Sequence, residues 1–210
     1  MEQDTIVAVA TAPGHGGIGV IRLSGNRAKA IGRQLTGTDL HPRHAHYCTF
    51  RYGDNETLDS GIALFFPNPG SFTGEDVVEL QAHGGPVVLD LILREACALG
   101  ARQAGPGEFS LRAYLNDKID LAQAEAIADL INSTTEQAAL NASRSLQGAF
   151  SRRIEELAGM VTELRVLVEA AIDFPEEEID FIEDERVADL LEAIIGQFTA
   201  VQNEARQGSL

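Results

Sequence analysis

The chain has 210 residues, of which 44% are hydrophobic and 23% are charged, enough for one large domain or two small ones with their own cores. Its formal net charge is −16, of which residues 119–210 carry −13 and residues 1–118 only −3; such an acidic surface disfavours non-specific nucleic-acid binding by the chain alone. No apolar run approaches the roughly 18 residues of a membrane helix and no secretory signal precedes the first strand, so we expect a cytoplasmic protein without a membrane partner.

The first ~115 residues predict a mixture of short strands and helices. We expect strands at 4–10, 19–23, 46–52, 58–66, 76–82 and 101–104, and helices at 26–35 and 86–99. The second helix is the better defined, because Pro86 stands in its first turn and Gly100 follows its end. Strands and helices that do not strictly alternate indicate an α+β sheet domain, to which we assign residues 1–117.

After Gly107 the sequence becomes helical, and we assign residues 118–210 to an all-α domain. Short helices are expected at 110–116 and 120–131, followed by an S-x-x-E capping box at 133–136. Apolar residues spaced by three and four predict one helix of about forty residues that ends before Pro175, and a second long helix from 187 that stops near Gly208. Such apolar stripes favour an antiparallel pair completed by further helices, from another chain or from sequence beyond Leu210.

Gly14, Gly16 and Gly19 match the G-x-G-x-x-G pattern of dinucleotide-binding turns. That pattern requires a helix after the last glycine, whereas Val20 to Leu23 reads as a strand. The glycines therefore indicate a loop between strands, with positive φ or close contact to a ligand or a second chain. Neither lysine of the chain follows a glycine, so the sequence contains no Walker loop.

Three charged residues, Arg22, Glu79 and Lys118, are the candidates for ligand contact. Considered individually, each of these charged residues could equally lie on the surface without contacting a ligand. Glu79 alternates with the apolar residues of its strand and can point into a partly covered groove. A carboxylate has two acceptor oxygens that match the adjacent N–H donors of a pterin or a guanine. Lysine and arginine nearby would suit the acidic end of such a ligand.

Other reactive groups have simpler structural interpretations. Four possible metal ligands lie close together in the sequence: His41, His44, His46 and Cys48. Their spacing fits no structural zinc pattern, so no metal is expected there. His83 could act as an acid or base, although no neighbour in sequence orients it. Cys97, like Cys48, has no nearby base and is expected to be an inert packing thiol. The acidic run 174–185 is either a solvated turn between helices or a docking surface for a basic partner.

Five separated motifs resemble the MnmE (TrmE) family of tRNA-modification GTPases. They are TIVAVATAPGHGGIGVIRLSG, SFTGEDVVELQAHGGP, PGEFSLRAYLNDKIDLAQAEAIADLI, SLQGAF and EAAIDFPEEEIDF. The resemblance implies an N-terminal domain similar to the tetrahydrofolate-binding fold of aminomethyltransferases, followed by a domain of long antiparallel helices. In the family a Ras-like GTP-binding domain interrupts the helical domain. We expect that domain, with its GTP, magnesium and potassium sites, to follow Leu210, so the present chain should not hydrolyse GTP.

The resemblance also implies partners and a reaction. Proteins of this family form homodimers through the N-terminal domain and act with an MnmG-like FAD protein. Together they add an aminomethyl or carboxymethylaminomethyl group to C5 of the wobble uridine of tRNA. The one-carbon unit comes from 5,10-methylenetetrahydrofolate, and 5-formyltetrahydrofolate is the other folate form considered.

The family's folate contacts fall on Arg22, Glu79 and Lys118. Glu79 is expected to hold the N–H edge of the pterin, while Arg22 and Lys118 supply positive charge, and which of the two meets the tail carboxylates is left open. The GHGGIG segment is expected to line a dimer interface or the pterin pocket. A free-standing folate-dependent aminomethyltransferase is an alternative, but it would not need two long helices after the sheet domain. A non-catalytic acidic scaffold is the other alternative.

Overall fold

Six strands in the first part of the chain form one mixed sheet. A computed structural model describes residues 4–54, 56–173 and 185–208, divided into the units Met1–Ile119 and Asp120–Leu210. The strands are β1 (Ile6–Val9), β2 (Gly16–Ser24), β3 (His46–Tyr52), β4 (Glu56–Phe66), β5 (Val77–Gly84) and β6 (Arg102–Gln103). They lie in the order β3-β4-β5-β2-β1-β6, in which β1 and β6 are parallel and the other neighbouring strands are antiparallel.

Two helices, α1 (Ala28–Thr36) and α2 (Pro86–Ala98), pack on one face of this sheet. Alternate strand residues point toward them, because successive side chains of a strand face opposite sides. The buried core between helices and sheet includes Ile21, Leu23, Ile31, Leu35, Phe50, Phe65, Val78, Leu80, Leu89 and Ile92. The predicted strand and helix positions are confirmed to within a few residues, and so is the α+β class.

The opposite face of the sheet, here called the open face, carries the other set of alternating residues. At one end of it lie the loop 67–76 between β4 and β5, here called the covering loop, and the short helix α3 (Glu108–Leu115). Ser24 on β2 and Val77 on β5 are buried at that end. Exposure rises along β5 from there, since the Glu79 side chain is 18% exposed and that of His83 is 74% exposed. The open face is therefore covered at one end and accessible at the other.

The described residues of the second unit form four helices: α4 (Leu121–Asn132), α5 (Glu136–Leu146), α6 (Ala149–Asp173) and α7 (Glu185–Gly208). Helix α4 packs on α5, and α6 packs on α7. The expectation of one helix of about forty residues is wrong, because the helix is interrupted between α5 and α6. Gly148 adopts a left-handed φ of 76° there, and the Gln123 side chain donates to the carbonyl of Leu146 at 2.9 Å. A glycine in this conformation ends a helix even where the apolar spacing continues.

The boundary between α4 and α5 contradicts the predicted capping box at 133–136. Ser133 ends α4 instead of beginning a capping box. The N-cap of α5 is Thr135, whose hydroxyl accepts from the amide of Ala138. The capping box of this region lies at α4, where Asp120 and Gln123 satisfy each other's backbone amides.

The ends of the two long helices agree with the sequence analysis. Helix α6 has Asp173 as its last residue, shortly before Pro175, and α7 reaches Gly208. The acidic run lies outside the described residues from 174 to 184, so neither interpretation of it is tested. Among the described residues, no helix combines the length and apolar character that a membrane span requires.

Candidate functional site

Arg22 and Glu79 meet on the open face of the sheet. They are directly opposite each other in the antiparallel register of β2 and β5, a position in which cross-strand side chains contact each other. The Nε of Arg22 donates to Oε1 of Glu79 at 2.8 Å, and Nη2 lies 2.7 Å from the same oxygen. Both contacts use Oε1, which leaves Oε2 of Glu79 outside these two bonds. The side chains are 29% and 18% exposed, so this ion pair is partly desolvated but reachable from solvent.

Two phenylalanines flank the guanidinium of Arg22. Its central carbon lies 5.5 Å from the ring centroid of Phe72 and 5.8 Å from that of Phe109, distances at which a cation and an aromatic face attract. Phe72 belongs to the covering loop and Phe109 to α3. Together they form an aromatic wall beside the ion pair. Phe72 remains 39% exposed, so part of its surface is available to a flat ligand.

Lys118 is attached to the same covering loop but does not join the ion pair. Its Nζ donates to the carbonyl of Pro69 at 3.0 Å, and its aliphatic chain runs beside Gly74. The turn after α3 places it there: Asp117 takes a left-handed φ of 53°, and the amide of Lys118 donates to the carbonyl of Ala113 at 2.9 Å. The structure thus brings two of the three candidate charges together and connects the third to the loop that holds Phe72.

A buried polar network fixes the covering loop, and sequence reasoning missed it. Ser24 on β2 contacts the hydroxyl of Thr73 at 2.6 Å and donates to Oε2 of Glu75 at 2.6 Å. Arg112 from α3 donates to both oxygens of Glu75 at 3.2 Å and to the carbonyl of Asp4 at 2.7 Å. Buried polar groups are costly unless they are satisfied in this way. The network therefore holds the loop and α3 in place beside Arg22.

The acidic residues of this network favour the charged form of Arg112. Burial lowers the pKa of Arg112, but the nearby carboxylate of Glu75 and hydrogen bonds to Asp4 and Glu108 outweigh it and raise the pKa above its ordinary value. The guanidinium therefore stays charged although its side chain is only 8% exposed. No sequence pattern singled out Arg112, and only the structure shows that it is buried on α3 together with Ala113.

His83, at the far end of the open face, has a partner on β4 that the sequence did not reveal. His83 donates its backbone amide to Oδ2 of Asp59 at 2.8 Å, and its Nδ1 lies 2.7 Å from Oδ1 of the same residue. Desolvation raises the pKa of Asp59, but hydrogen bonds from His83 and Ser60 outweigh it, so that the pKa lies below its ordinary value. His83 thus has an orienting partner, contributed by the neighbouring strand β4, which sequence proximity could not show.

The glycine segment is a strand rather than a loop. Gly16 pairs with Gly84, and β2 continues through an irregularity between Gly16 and Gly19. The exclusion of a dinucleotide turn is confirmed, because Gly19 is followed directly by the rest of strand β2 and not by a helix. The expectation of a loop with positive φ holds for Gly14 alone, whose φ is 137°. Gly19 instead gives room to α2, since a Cβ at that position would lie 2.5 Å from a methyl group of Leu89.

The remaining candidates have structural partners. The amide of His41 donates to Nε2 of His46 at 2.9 Å, and the rings of His44 and His46 contact each other edge to face. Among the described residues, no group of three or more His, Cys, Asp or Glu side chains is arranged to hold a metal ion. Burial raises the pKa of both Cys48 and Cys97, which makes them poor nucleophiles, as expected for packing thiols.

Comparison with known protein families gives matches along both units. A family model described as the GTP-binding protein TrmE N-terminus matches residues 5–118, and one described as the MnmE helical domain matches residues 121–210. Proteins named tRNA modification GTPase MnmE are similar over nearly the whole chain. The one from Marinomonas sp. is 61% identical over 209 residues, that from Marinobacter nauticus 60% over 207, and that from Pseudomonas putida 60% over 208.

These relatives are longer than this chain. The alignments cover 99% to 100% of this chain but only 45% to 46% of each relative. The chain therefore spans about half the length of the curated relatives it matches.

Proposed function

Since this chain belongs to the MnmE family of tRNA modification GTPases, we propose that its sheet unit binds a reduced folate on the open face, as 5,10-methylenetetrahydrofolate or 5-formyltetrahydrofolate. The observation that carries the proposal is the Arg22–Glu79 pair beside the exposed ring of Phe72. The carboxylate oxygen that lies outside the ion pair suits an N–H donor of the pterin edge. An aromatic wall suits the flat ring itself.

Each candidate side chain has a role in this proposal. Glu79 holds the N–H edge of the pterin through Oε2, the oxygen outside its bonds with Arg22. Arg22 keeps the carboxylate ionised and oriented. Lys118 supplies a second positive charge beside the covering loop, since it is exposed and its Nζ donates to a neutral carbonyl that an anion can replace.

The same proposal extends to the longer protein. The names of the relatives support a GTPase that acts in tRNA modification. We place the chain as its folate-binding and dimer-forming part, with GTP, magnesium and potassium bound by another domain. An MnmG-like FAD protein would be the partner in adding a (carboxymethyl)aminomethyl group to the wobble uridine of tRNA.

Calorimetric titration of the chain with 5-formyltetrahydrofolate tests folate binding. We expect saturable binding that Glu79→Gln weakens by roughly 10- to 100-fold, because one charged hydrogen-bond acceptor is lost. Arg22→Ala should weaken it as well. Glu56→Gln, at an exposed glutamate at the start of β4, is the matched control and should leave the affinity unchanged. A folded wild-type chain that binds no reduced folate would overturn the proposal and favour an acidic scaffold.

Sedimentation equilibrium tests the dimer separately. We expect a homodimer whose formation does not depend on α7. A chain that stays monomeric at high concentration would contradict the proposed dimerisation through the sheet unit, whatever the result of the titration.

A further inference from the structure

The open face has two polar ends, and only one of them belongs to the site proposed above. Glu79, Gln81 and His83 follow each other on the same side of β5, because their neighbours Val78, Leu80 and Ala82 are buried on the opposite side. Glu79 pairs with Arg22 at one end, and His83 pairs with Asp59 at the other. Neither the sequence motifs nor the family comparison explains the second pair.

Asp59 holds the imidazole of His83 in one orientation. Its two oxygens accept from the backbone amide and from Nδ1 of the same histidine, at 2.8 and 2.7 Å. This places a proton on Nδ1 and leaves Nε2 on the other side of the ring. The Asp59 side chain is 12% exposed whereas that of His83 is 74% exposed. Because the carboxylate is mostly buried and the imidazole is accessible, the histidine is the member of this pair that a ligand can contact.

The floor between the two ends suits the face of a flat ring system. Gln81 lies between Val20 on β2 and Ile62 on β4 in the strand register, and all three side chains are half-buried. Glu79 and His83 are four residues apart on one strand, so their Cα atoms are separated by about 13 Å. That span leaves room for a fused two-ring heterocycle with a hydrogen bond at each end.

The glycine segment of β2 borders this floor without filling it. A Cβ added at Gly17 would contact nothing within 4 Å, so the backbone there faces open space. Gly84, which follows His83, cannot carry a side chain, because a Cβ would lie 2.7 Å from the carbonyl oxygen of Gly16. Tight strand packing at Gly84 and free space at Gly17 keep the approach to His83 open.

We propose that His83 is a second ligand-binding residue of this site and contacts the folate, through Nε2, at the end of the pterin away from Glu79. Asp59 is the positioning residue that fixes the tautomer and the ring. The inference rests on the proposed folate binding, and it adds a residue on a different strand pair from the Arg22–Glu79 pair. It also gives the glycine segment a role, which is to leave the approach to the imidazole unobstructed.

Calorimetric titration with 5-formyltetrahydrofolate provides the first test. His83→Gln should weaken binding by up to roughly tenfold, the effect of losing one hydrogen bond at an accessible position. Asp59→Asn should weaken it less, because the imidazole remains but is no longer fixed. His44→Gln, at an exposed histidine on another loop, is the matched control and should bind like the wild type.

Nitrogen NMR of the histidine rings separates a binding role from a structural one. In the wild-type chain, neutral His83 should be the Nδ1–H tautomer, and addition of 5-formyltetrahydrofolate should shift its Nε2 resonance. The Asp59→Asn chain should lose the tautomer preference while keeping its circular dichroism spectrum. A purely structural pair would show no shift of Nε2 on ligand addition.

The two proposals fail in different ways. A wild-type chain that binds no folate would overturn both. If the wild type binds and Glu79→Gln weakens binding, while His83→Gln binds like the wild type and Nε2 does not shift, only the assignment of His83 is overturned.

Discussion

The two units of the chain differ in how far their apolar side chains are buried. In residues 1–119 the large apolar residues of two helices and five strands are buried in one continuous core. In residues 120–210 only Ala126, Ala142 and Val201 are buried among the described hydrophobic residues, whereas Ile195 and Phe198 of α7 are more than half exposed. Because burial of apolar surface is the main source of stability, the sheet unit should be stable by itself and the helical unit only marginally so.

The largest expected consequence is a difference in the unfolding of the two units. All three tyrosines lie in residues 1–119 and the chain has no tryptophan, so tyrosine fluorescence reports on the sheet unit alone. Most helical residues belong to the second unit, so circular dichroism at 222 nm reports mainly on that unit. We expect the dichroism to fall at a lower urea concentration than the fluorescence changes.

A fragment that contains the sheet unit without the helical unit sharpens this test. Residues 1–119 alone should keep the fluorescence transition at the same urea concentration. Coincident transitions for the two probes in the whole chain would mean that the units unfold together, which contradicts the comparison.

A pair of identical substitutions probes the same difference at single residues. Phe50 on β3 is fully buried, and Phe198 on α7 is 56% exposed. Phe50→Ala should lower the free energy of unfolding of the sheet unit by about 3–5 kcal/mol, because it opens a cavity in the core. Phe198→Ala should change that of the helical unit by no more than about 0.5 kcal/mol.

Urea denaturation with the two probes measures both values. A cost above about 1 kcal/mol for Phe198→Ala would show that this face of α7 is covered in solution, for example by a second copy of the chain, and would weaken the contrast between the units.

Two glycines give opposite expectations for the same substitution. A Cβ at Gly61 on β4 would overlap the carbonyl oxygen of Gln81 on β5 and lie 3.0 Å from the ring of Phe50, whereas a Cβ at Gly159 in α6 meets nothing within 4 Å. Gly61→Ala should therefore destabilise the sheet unit by about 3 kcal/mol, since the strands must separate. Gly159→Ala should stabilise the helical unit by about 0.5–1 kcal/mol, the usual gain inside a helix.

Thermal melts of the two variants, followed with the same two probes, give the sign of each effect directly. A neutral Gly61→Ala would mean that β4 and β5 adjust without cost, and a destabilising Gly159→Ala would mean that α6 has a partner at that position.

The sequence predicted the sheet unit better than the helical unit for a physical reason. Strand alternation and the marked ends of α2 are local signals, and each corresponds to a real element. The long helix was mispredicted because apolar spacing continues across Gly148, and only the left-handed backbone of that residue shows the break. In a unit with little core, such local backbone effects decide where helices end.

Within the candidate site, the sequence supplied the charges but not their arrangement. Arg22 and Glu79 could be selected by residue type, but their contact depends on the pairing of β2 with β5, two strands that are far apart in the chain. The same holds for Asp59 and His83, which lie on β4 and β5. Phe72 and Phe109 lie in segments that resemble the family, yet nothing in the sequence alone places them beside Arg22.

The smallest expected effect concerns the charged network that anchors α3 to the sheet. A hydrogen bond from Arg102 lowers the pKa of Glu108 from 4.5 to about 2. A carboxyl group whose pKa is lower in the folded state contributes stability that is fully present above pH 4.5 and is lost as the pH falls toward 2. The contribution is modest because Arg102 is half-exposed and solvent screens the pair.

Glu108→Gln removes this contribution and provides the measurement. The difference in unfolding free energy between wild type and variant, from tyrosine fluorescence in urea, should be largest at pH 7 and shrink between pH 4.5 and 2. Glu56→Gln, at an exposed strand residue, controls for the loss of one negative charge. A difference that stays constant across this range would mean that the Glu108 carboxylate is held neither by Arg102 nor by its other partners, Arg112 and the amide of Gly105, in solution. Because the tyrosines report on the sheet unit alone, the acid sensitivity of the helical unit does not enter this comparison.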